Sequence, residues 1–115
     1  MTPNLAAMTL YVKPGPTDMR KQTGGLALVA ETVMKLDPFA PAVFLFCNKR
    51  RNLLKAVYWD KNGFCCWQKR LEQDAFPWPM NEEETKQITE RELSLLLEGL
   101  DVWKAHKKLS YTHVA

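Results

Sequence analysis

Residues 42–71 read AVFLFCNKRRNLLKAVYWDKNGFCCWQKRL, and this stretch decides the fold. It contains three segments rich in aromatic and β-branched residues, a composition typical of strands. Two polar connections separate them, and the second contains Asn62-Gly63, which tolerates the positive φ of a hairpin turn. Both connections are too short for a parallel crossover, so the stretch predicts an antiparallel meander. The three predicted strands are Ala42–Cys47, Leu53–Trp59 and Phe64–Leu71.

Toward the N-terminus the pattern predicts a short strand and a long helix. The alternation in Met8–Val12 favours a strand. Thr17 is a suitable N-cap, and apolar residues then recur on one helical face, which predicts a helix over Asp18–Leu36. Gly24 and Gly25 inside this helix indicate a kink or close packing against a neighbouring backbone.

Toward the C-terminus the strongest local signal is a helix start. Thr89 and Glu92 have the spacing of a capping box, and Ile88 and Leu93 have the spacing of a hydrophobic staple. Gly99 is placed to end the helix that follows.

Together these elements predict an α+β domain with two layers, an antiparallel three- to four-stranded β-meander packed against two helices. We assign this single domain to residues 1–100, with Glu82–Glu84 in a solvated loop. The apolar pattern fades after Asp101, which favours a flexible C-terminal tail over residues 101–115.

The composition is that of one ordinary cytoplasmic domain. The 115 residues are 46% hydrophobic and 25% charged, which argues against overall disorder. We expect no signal peptide and no membrane span. Three cysteines, Cys47, Cys65 and Cys66, are interpreted as reduced.

The net charge is +3, but it is unevenly divided. Residues 1–74 carry eleven Lys/Arg against six Asp/Glu, and residues 75–115 carry five against seven.

No catalytic constellation is visible, so we expect a protein that is not an enzyme and needs no cofactor. His106 and His113 both fall in the weak C-terminal region, where a base would not be held rigidly beside a nucleophile. No Cys-x-x-Cys pair or helical His pair indicates a metal site. A metal-dependent nuclease needs several converging carboxylates. The candidates, each with a simpler explanation in a turn or helix start, are Asp18, Asp37, Asp60, Glu72 and Asp74.

Basic residues with aromatic residues between them are the remaining signal. The meander should bring the first hairpin tip and the end of its third strand to one edge of the sheet, where a polyanion would bind. The alternative, equally open on physical grounds, is a polar turn that keeps the sheet soluble. The DNA-binding candidates are Arg20, Lys21, Lys49, Arg50, Arg51, Lys69 and Arg70. Tyr58 and Trp59 are weaker aromatic candidates, for which core packing competes.

In order and spacing, a set of short motifs resembles the TnpB-type protein, the second-reading-frame product of the insertion sequence 66 family. The resemblance spans about Val12 to Leu100 and departs from the family pattern at Cys47 and Cys66–Gln68. The motifs are Thr17–Lys21, Gly25-Leu26, Asp37–Phe39, Phe44–Phe46, Asn48–Arg51, Tyr58–Asp60, Gly63-Phe64, Lys69–Leu71, Phe76–Pro79 and Leu96–Leu100.

This resemblance implies an accessory protein of transposition, with the DNA-cutting transposase on a separate chain. The implied partners are element-end DNA, the transposase, or both. A second hypothesis is a pure protein–protein adaptor that uses the aromatic residues around Trp59, Trp67 and Trp78 and the leucine-rich last helix. A third is the small metal-dependent nuclease. The sequence gives no oligomeric state.

Overall fold

The computed structural model describes residues 4–81 and 83–103. These residues form five strands, two α-helices and one short 3-10 helix. The 3-10 helix covers Leu5–Ala7. The strands are β1 (Thr9–Val12), β2 (Ala42–Cys47), β3 (Leu53–Asp60), β4 (Gly63–Arg70) and β5 (Lys86–Ile88), and the helices are α1 (Thr23–Thr32) and α2 (Glu90–Leu97).

The five strands form one mixed sheet in the order β4-β3-β2-β1-β5. The predicted meander is confirmed, because β2, β3 and β4 pair antiparallel. The sheet is larger than predicted and is not purely antiparallel. β1 pairs parallel with β2, and β5 pairs antiparallel with β1. The parallel pair is possible because a long connection that contains α1 carries the chain back across the sheet.

The two helices cover opposite faces of the sheet. Successive residues of a strand point to opposite faces. In β2, Val43, Leu45 and Cys47 belong to the cluster that includes Leu93 and Leu96 of α2. The alternate residues belong to the cluster that α1 supplies. The α+β class is therefore confirmed, but its helices and sheet stack in three layers and not in the two that we predicted. Strand β2 is buried on both faces. Its sequence is accordingly a continuous apolar run, as expected for a central strand.

Helix α1 is shorter than the predicted span. It begins at Thr23 with Gln22 at the N-cap, and not at Thr17. Thr17 N–H instead donates to Cys47 O at 2.8 Å, and the Asp18 side chain accepts from Arg20 N–H at 2.9 Å. Asp and Thr stabilise turns as readily as helix starts, so the sequence signal was ambiguous.

The glycine pair lies in the first turn of α1 and does not mark close packing. A Cβ on Gly24 would meet nothing within 4 Å, and one on Gly25 would meet only the Lys21 side chain. The predicted kink or close backbone approach is therefore wrong.

Helix α2 follows the predicted local chemistry. Thr89 Oγ1 accepts from Glu92 N–H at 3.1 Å, and Glu92 Oε1 accepts from Thr89 N–H at 2.9 Å. These two bonds complete the capping box. Gly99, at φ 88°, follows the helix in the left-handed conformation expected for its end.

An extended segment, residues 72–80, crosses the α2 face and binds the chain after β1 and the chain after α2. Phe76 and Trp78 are buried. Trp78 Nε1 donates to Lys13 O at 3.0 Å, and Trp103 Nε1 donates to Pro77 O. Val102 is also buried, so core contacts continue past residue 100. The rest of the predicted tail, residues 104–115, lies outside the described residues.

Candidate nucleic-acid interface

One end of the sheet gathers most of the predicted basic residues. There β2 ends at Cys47 and β3 begins at Leu53, and Arg70 is opposite Leu53 in the register. Leu71 N–H donates to Asn52 O at 2.8 Å, so the end of β4 adjoins the turn. We call this the basic end of the sheet. The opposite end, which carries the Asp60–Gly63 hairpin, we call the far end.

The connection between β2 and β3 is a turn held by the Asn48 side chain. Its Oδ1 accepts from Asn52 N–H at 3.0 Å and from Leu53 N–H at 3.1 Å. Its Nδ2 donates to Asn52 Oδ1 at 2.7 Å. One side chain therefore closes the loop from inside, and the three cations between the two asparagines point outward. These cations are Lys49, Arg50 and Arg51, all exposed.

The turn places Arg51 in the left-handed region, with φ 61°. Left-handed backbone costs a residue with a Cβ roughly 1–2 kcal/mol. Glycine or asparagine would adopt this conformation more easily, so an arginine at this position lowers stability. Such strain is an argument for function only together with other observations. Here the other observation is the row of three exposed cations.

Neighbouring segments brace the turn. Phe76 N–H donates to Arg51 O at 2.6 Å, and Thr17 N–H donates to Cys47 O just before the turn. On the α1 side, Lys55 Nζ donates to Met19 O at 3.0 Å, which fixes the segment that carries Arg20 and Lys21 beside β3. The basic end is thus a supported surface made from three parts of the chain.

The predicted cations do not all remain available. Arg20 is paired with Asp18, Nη2 to Oδ2 at 2.8 Å. Hydrogen bonds from Arg20 lower the Asp18 pKa to about 2, so the carboxylate is charged at neutral pH. Within residues 4–81 and 83–103, the structure gives no side-chain hydrogen bond or ion pair to five of the six other predicted cations. They are Lys21, Lys49, Arg50, Arg51 and Arg70, all exposed.

Lys69 separates from Arg70 because successive strand residues face opposite ways. Its Nζ donates to Leu97 O at 2.9 Å, where it satisfies a carbonyl at the C-terminus of α2. A cation at a helix C-terminus is favourable for the helix dipole. The structure therefore gives Lys69 a structural contact and does not group its ammonium with the exposed cations.

The two aromatic candidates lie toward the far end and not among the cations. Tyr58 is 5% exposed and belongs to the core. Trp59 is half-buried and meets Phe39 and Phe64 with ring centroids 4.9 and 5.0 Å away. Of the surface suggested for an adaptor, Trp67 is exposed but Trp78 is buried. Leu93 and Leu96 of α2 are buried too.

The carboxylates weighed for a nuclease do not form one cluster: Glu72 and Asp74 lie in an exposed segment beside the basic turn. Asp60 lies at the far end, and Asp37 Oδ1 accepts from Phe39 N–H at 2.9 Å. Asp18 is bonded to Arg20. In the part of the chain that the structure describes, no group of three His, Cys, Asp or Glu side chains is placed to hold a metal ion. His106 and His113 lie outside that part.

Sequence reasoning missed Asn48, which we had treated as part of a polar connection. The available signal was the pair of asparagines that brackets three cations, because an Asn side chain bonds readily to the backbone of its own turn. Thr17, which was predicted as an N-cap, is buried instead, and its Oγ1 has no hydrogen-bond partner among the described residues.

The chain matches one protein family over most of its length. The sequence profile of the IS66 Orf2-like proteins, TnpB of the IS66 elements, matches residues 8–107. The chain belongs to the IS66 Orf2-like family. The resemblance drawn from the short motifs is thereby confirmed, and the match extends beyond both ends of the span that we assigned to it.

Two relatives in Sinorhizobium fredii are similar over most of their length. The chain is 36% identical to protein y4hO over 104 residues, or 90% of each chain. It is 30% identical to protein y4jC over 101 residues, or 88% of this chain and 86% of the relative. Both relatives are described as uncharacterised. No solved structure matches the chain significantly.

None of the described helices is long and apolar enough to cross a lipid bilayer.

Proposed function

We propose that this IS66 Orf2-like protein is a non-catalytic accessory factor of transposition that binds the DNA of its element through the basic end. The observation that supports the proposal is the Asn48-closed turn. It presents Lys49, Arg50 and Arg51 side by side, with Arg51 held in a strained conformation. Lys21 and Arg70 extend the same charged surface.

These residues suit phosphate contacts. Arginine presents a planar fork of donors that matches phosphate geometry, and lysine contributes a point charge. Phosphate contacts position a protein on DNA without reading its sequence. Within the part of the chain that the structure describes, no exposed aromatic side chain joins the cations, so stacking on bases is not part of the proposal.

The experiment is fluorescence anisotropy with a labelled terminal repeat and a scrambled duplex, across a salt series. Each phosphate contact contributes about −0.9 to the slope of log K against log salt concentration. If all five exposed cations reach phosphates, the slope is about −4 to −5. Equal affinity for the two duplexes indicates backbone binding, and a preference for the repeat indicates additional sequence readout.

The deciding variant is Lys49→Ala/Arg50→Ala/Arg51→Gly, with glycine chosen to keep the left-handed turn intact. We expect weaker binding to both duplexes and a salt slope reduced by about 3. The matched control, Lys35→Gly/Lys61→Gly/Arg91→Ala, removes the same charge. Lys61 sits in the far-end hairpin, Lys35 follows α1, and Arg91 begins α2. Equal losses in the two variants would contradict a localised site.

A protein–protein adaptor is the second candidate, and exposed apolar side chains on the α1 side of the sheet favour it. Phe39, Leu28 and Val33 are each more than half exposed, and Phe39 packs against Trp59. This surface shares Trp59 with the one proposed from sequence but otherwise differs from it. Binding to the transposase through apolar contacts would change little with salt, whereas DNA binding would fall steeply. Transposase capture that survives high salt and is lost in Phe39→Ser would support the adaptor.

A further inference from the structure

Among the described residues, strand β4 forms an edge of the sheet that no other strand or helix covers. The opposite edge, β5, has three residues and carries Lys86. β4 has eight residues and forms the other end of the strand order. Proteins protect exposed edges with short strands, charges, prolines or covering segments. From Gly63 to Gln68, β4 has no charge and no proline, and Trp67 is 46% exposed.

The phase of the β3–β4 ladder decides which backbone groups of β4 face outward. Leu71 N–H donates to Asn52 O, and this pair continues the register in which Arg70 is opposite Leu53. Opposed pairs in an antiparallel ladder alternate between hydrogen-bonded and non-hydrogen-bonded. The odd-numbered residues of β4 therefore bond to β3. The even-numbered residues point their N–H and C=O groups to the open edge, and they are Phe64, Cys66, Gln68 and Arg70.

We propose that β4 pairs antiparallel with β4 of a second copy of this chain, which joins the two sheets edge to edge. The two-fold axis passes beside Trp67, so that each Trp67 faces the other. The outward groups then pair Phe64 with Arg70 and Cys66 with Gln68, and each pair exchanges two main-chain bonds. The interface is isologous, as a two-fold dimer requires.

The distribution of charge along β4 favours a second copy as the occupant of the edge. The charges of β4 lie at one end, at Lys69 and Arg70, and the other end is uncharged. An antiparallel copy places Arg70 opposite Phe64, where a cation can lie against the ring. Lys69 is then opposite Cys65. A shift of the partner strand toward the basic end brings lysine opposite lysine, and like charges directly opposed are destabilising.

The centre of this register also favours self-pairing. Trp67 is on an odd-numbered position, so the Trp67 pair is non-hydrogen-bonded across the interface and its side chains approach closely. Cross-strand aromatic pairs stabilise antiparallel sheets. The same contact would cover the indole that is exposed in the single chain.

The test is the molar mass of the purified DNA-free protein, by light scattering and sedimentation from about 1 to about 100 µM, where standard interfaces associate. We expect a dimer. Gln68→Pro removes an outward N–H and leaves the β3 ladder untouched, because proline is tolerated on an edge strand when its nitrogen faces outward. Gln68→Ala, which keeps that N–H, is the matched control. We expect Gln68→Pro to be monomeric and Gln68→Ala to remain dimeric.

Trp67→Lys provides a second variant that does not depend on proline being accommodated. It sets two lysines against each other across the axis and should weaken dimerisation roughly tenfold or more. A wild-type monomer throughout the concentration range would overturn the proposal and leave the edge to a strand from another protein. A folded Gln68→Pro that stays dimeric, or an unchanged dimer constant in Trp67→Lys, would also overturn it. None of these variants alters the three cations of the turn, so the DNA-binding proposal is tested separately.

Discussion

The two ends of the sheet contain similar turns with different surroundings. At the basic end Arg51 adopts φ 61°, and at the far end Lys61 adopts φ 53°. Each turn thus holds one exposed cation in the left-handed region. Lys61 is flanked by Asp60 and stands beside the ring cluster of Trp59, Phe64 and Phe39. Arg51 instead continues a row of cations.

The two turns share one feature of the backbone and differ in their side chains. A left-handed residue is a requirement of the local backbone in both turns. The Asn48 side chain, the second and third cations and the bracing by Phe76 occur only in the turn between β2 and β3 when these two turns are compared. Of these two turns, the one with more cations also has more hydrogen bonds that support its backbone. At the far end the side chains pack against one another.

Asn48→Ala should have the largest effect, because it breaks the support without removing a charge. The substitution leaves two partly buried N–H groups, those of Asn52 and Leu53, without their acceptor. We expect a loss of about 1–3 kcal/mol in the free energy of unfolding, measured by urea denaturation. DNA affinity measured by anisotropy should fall as well, because the three cations lose their fixed spacing.

Asn62→Ala in the far-end hairpin is the control for that experiment. Asn62 is exposed, and the structure shows no side-chain hydrogen bond from it among the described residues, so we expect a smaller loss of stability and no change in DNA binding. If Asn48→Ala lost stability and kept full affinity, the turn would be a structural feature alone.

Arg51→Gly and Lys61→Gly should have effects of intermediate size. These two substitutions compare the basic end with the far end directly. Glycine relieves left-handed strain in both turns. The free energy of unfolding, measured by urea denaturation, should therefore be unchanged or higher by up to about 1 kcal/mol in each variant. DNA affinity should fall severalfold for Arg51→Gly alone, with a salt slope reduced by about 1. A similar fall in Lys61→Gly would show that net charge and not position controls binding.

The sequence predicted the parts of the fold whose signals are local. The meander follows from the apolar segments and their short turns, and the α2 capping box is encoded in four consecutive residues. The parallel pairing of β1 with β2 is not local, because about thirty residues separate the two strands. β5 was missed because Lys86-Gln87-Ile88 is short and mostly polar, and its pairing with β1 is a tertiary contact.

The candidate site was predictable to a similar degree. Meander geometry correctly placed Arg70 beside the turn of Lys49–Arg51. The alternation of strand side chains could also have separated Lys69 from Arg70, since neighbours in a strand face opposite ways. The contact of Lys69 with Leu97 O could not be predicted, because it depends on where α2 docks. The same holds for Arg20, whose Asp18 partner was read as the first turn of a helix.

Asp18→Asn should have the smallest effect. It tests whether the ion pair with Asp18 keeps Arg20 from contributing to DNA binding. Asp18 is ionised at neutral pH because Arg20 lowers its pKa to about 2. A carboxylate with a depressed folded-state pKa keeps its favourable contact above its ordinary pKa and loses it as the pH falls through about 2. At pH 7 the pair is therefore intact, and Arg20 is engaged.

The substitution removes one negative charge and frees the guanidinium of Arg20 for a phosphate. We expect DNA affinity to rise a few-fold at pH 7, with a salt slope steeper by about 1. Stability should change little, because both side chains are exposed and solvent screens their attraction. Asp37→Asn, which removes the same charge outside the basic end, is the control. Unchanged affinity in Asp18→Asn would mean that DNA contacts the turn and Arg70 but does not extend to the segment before α1.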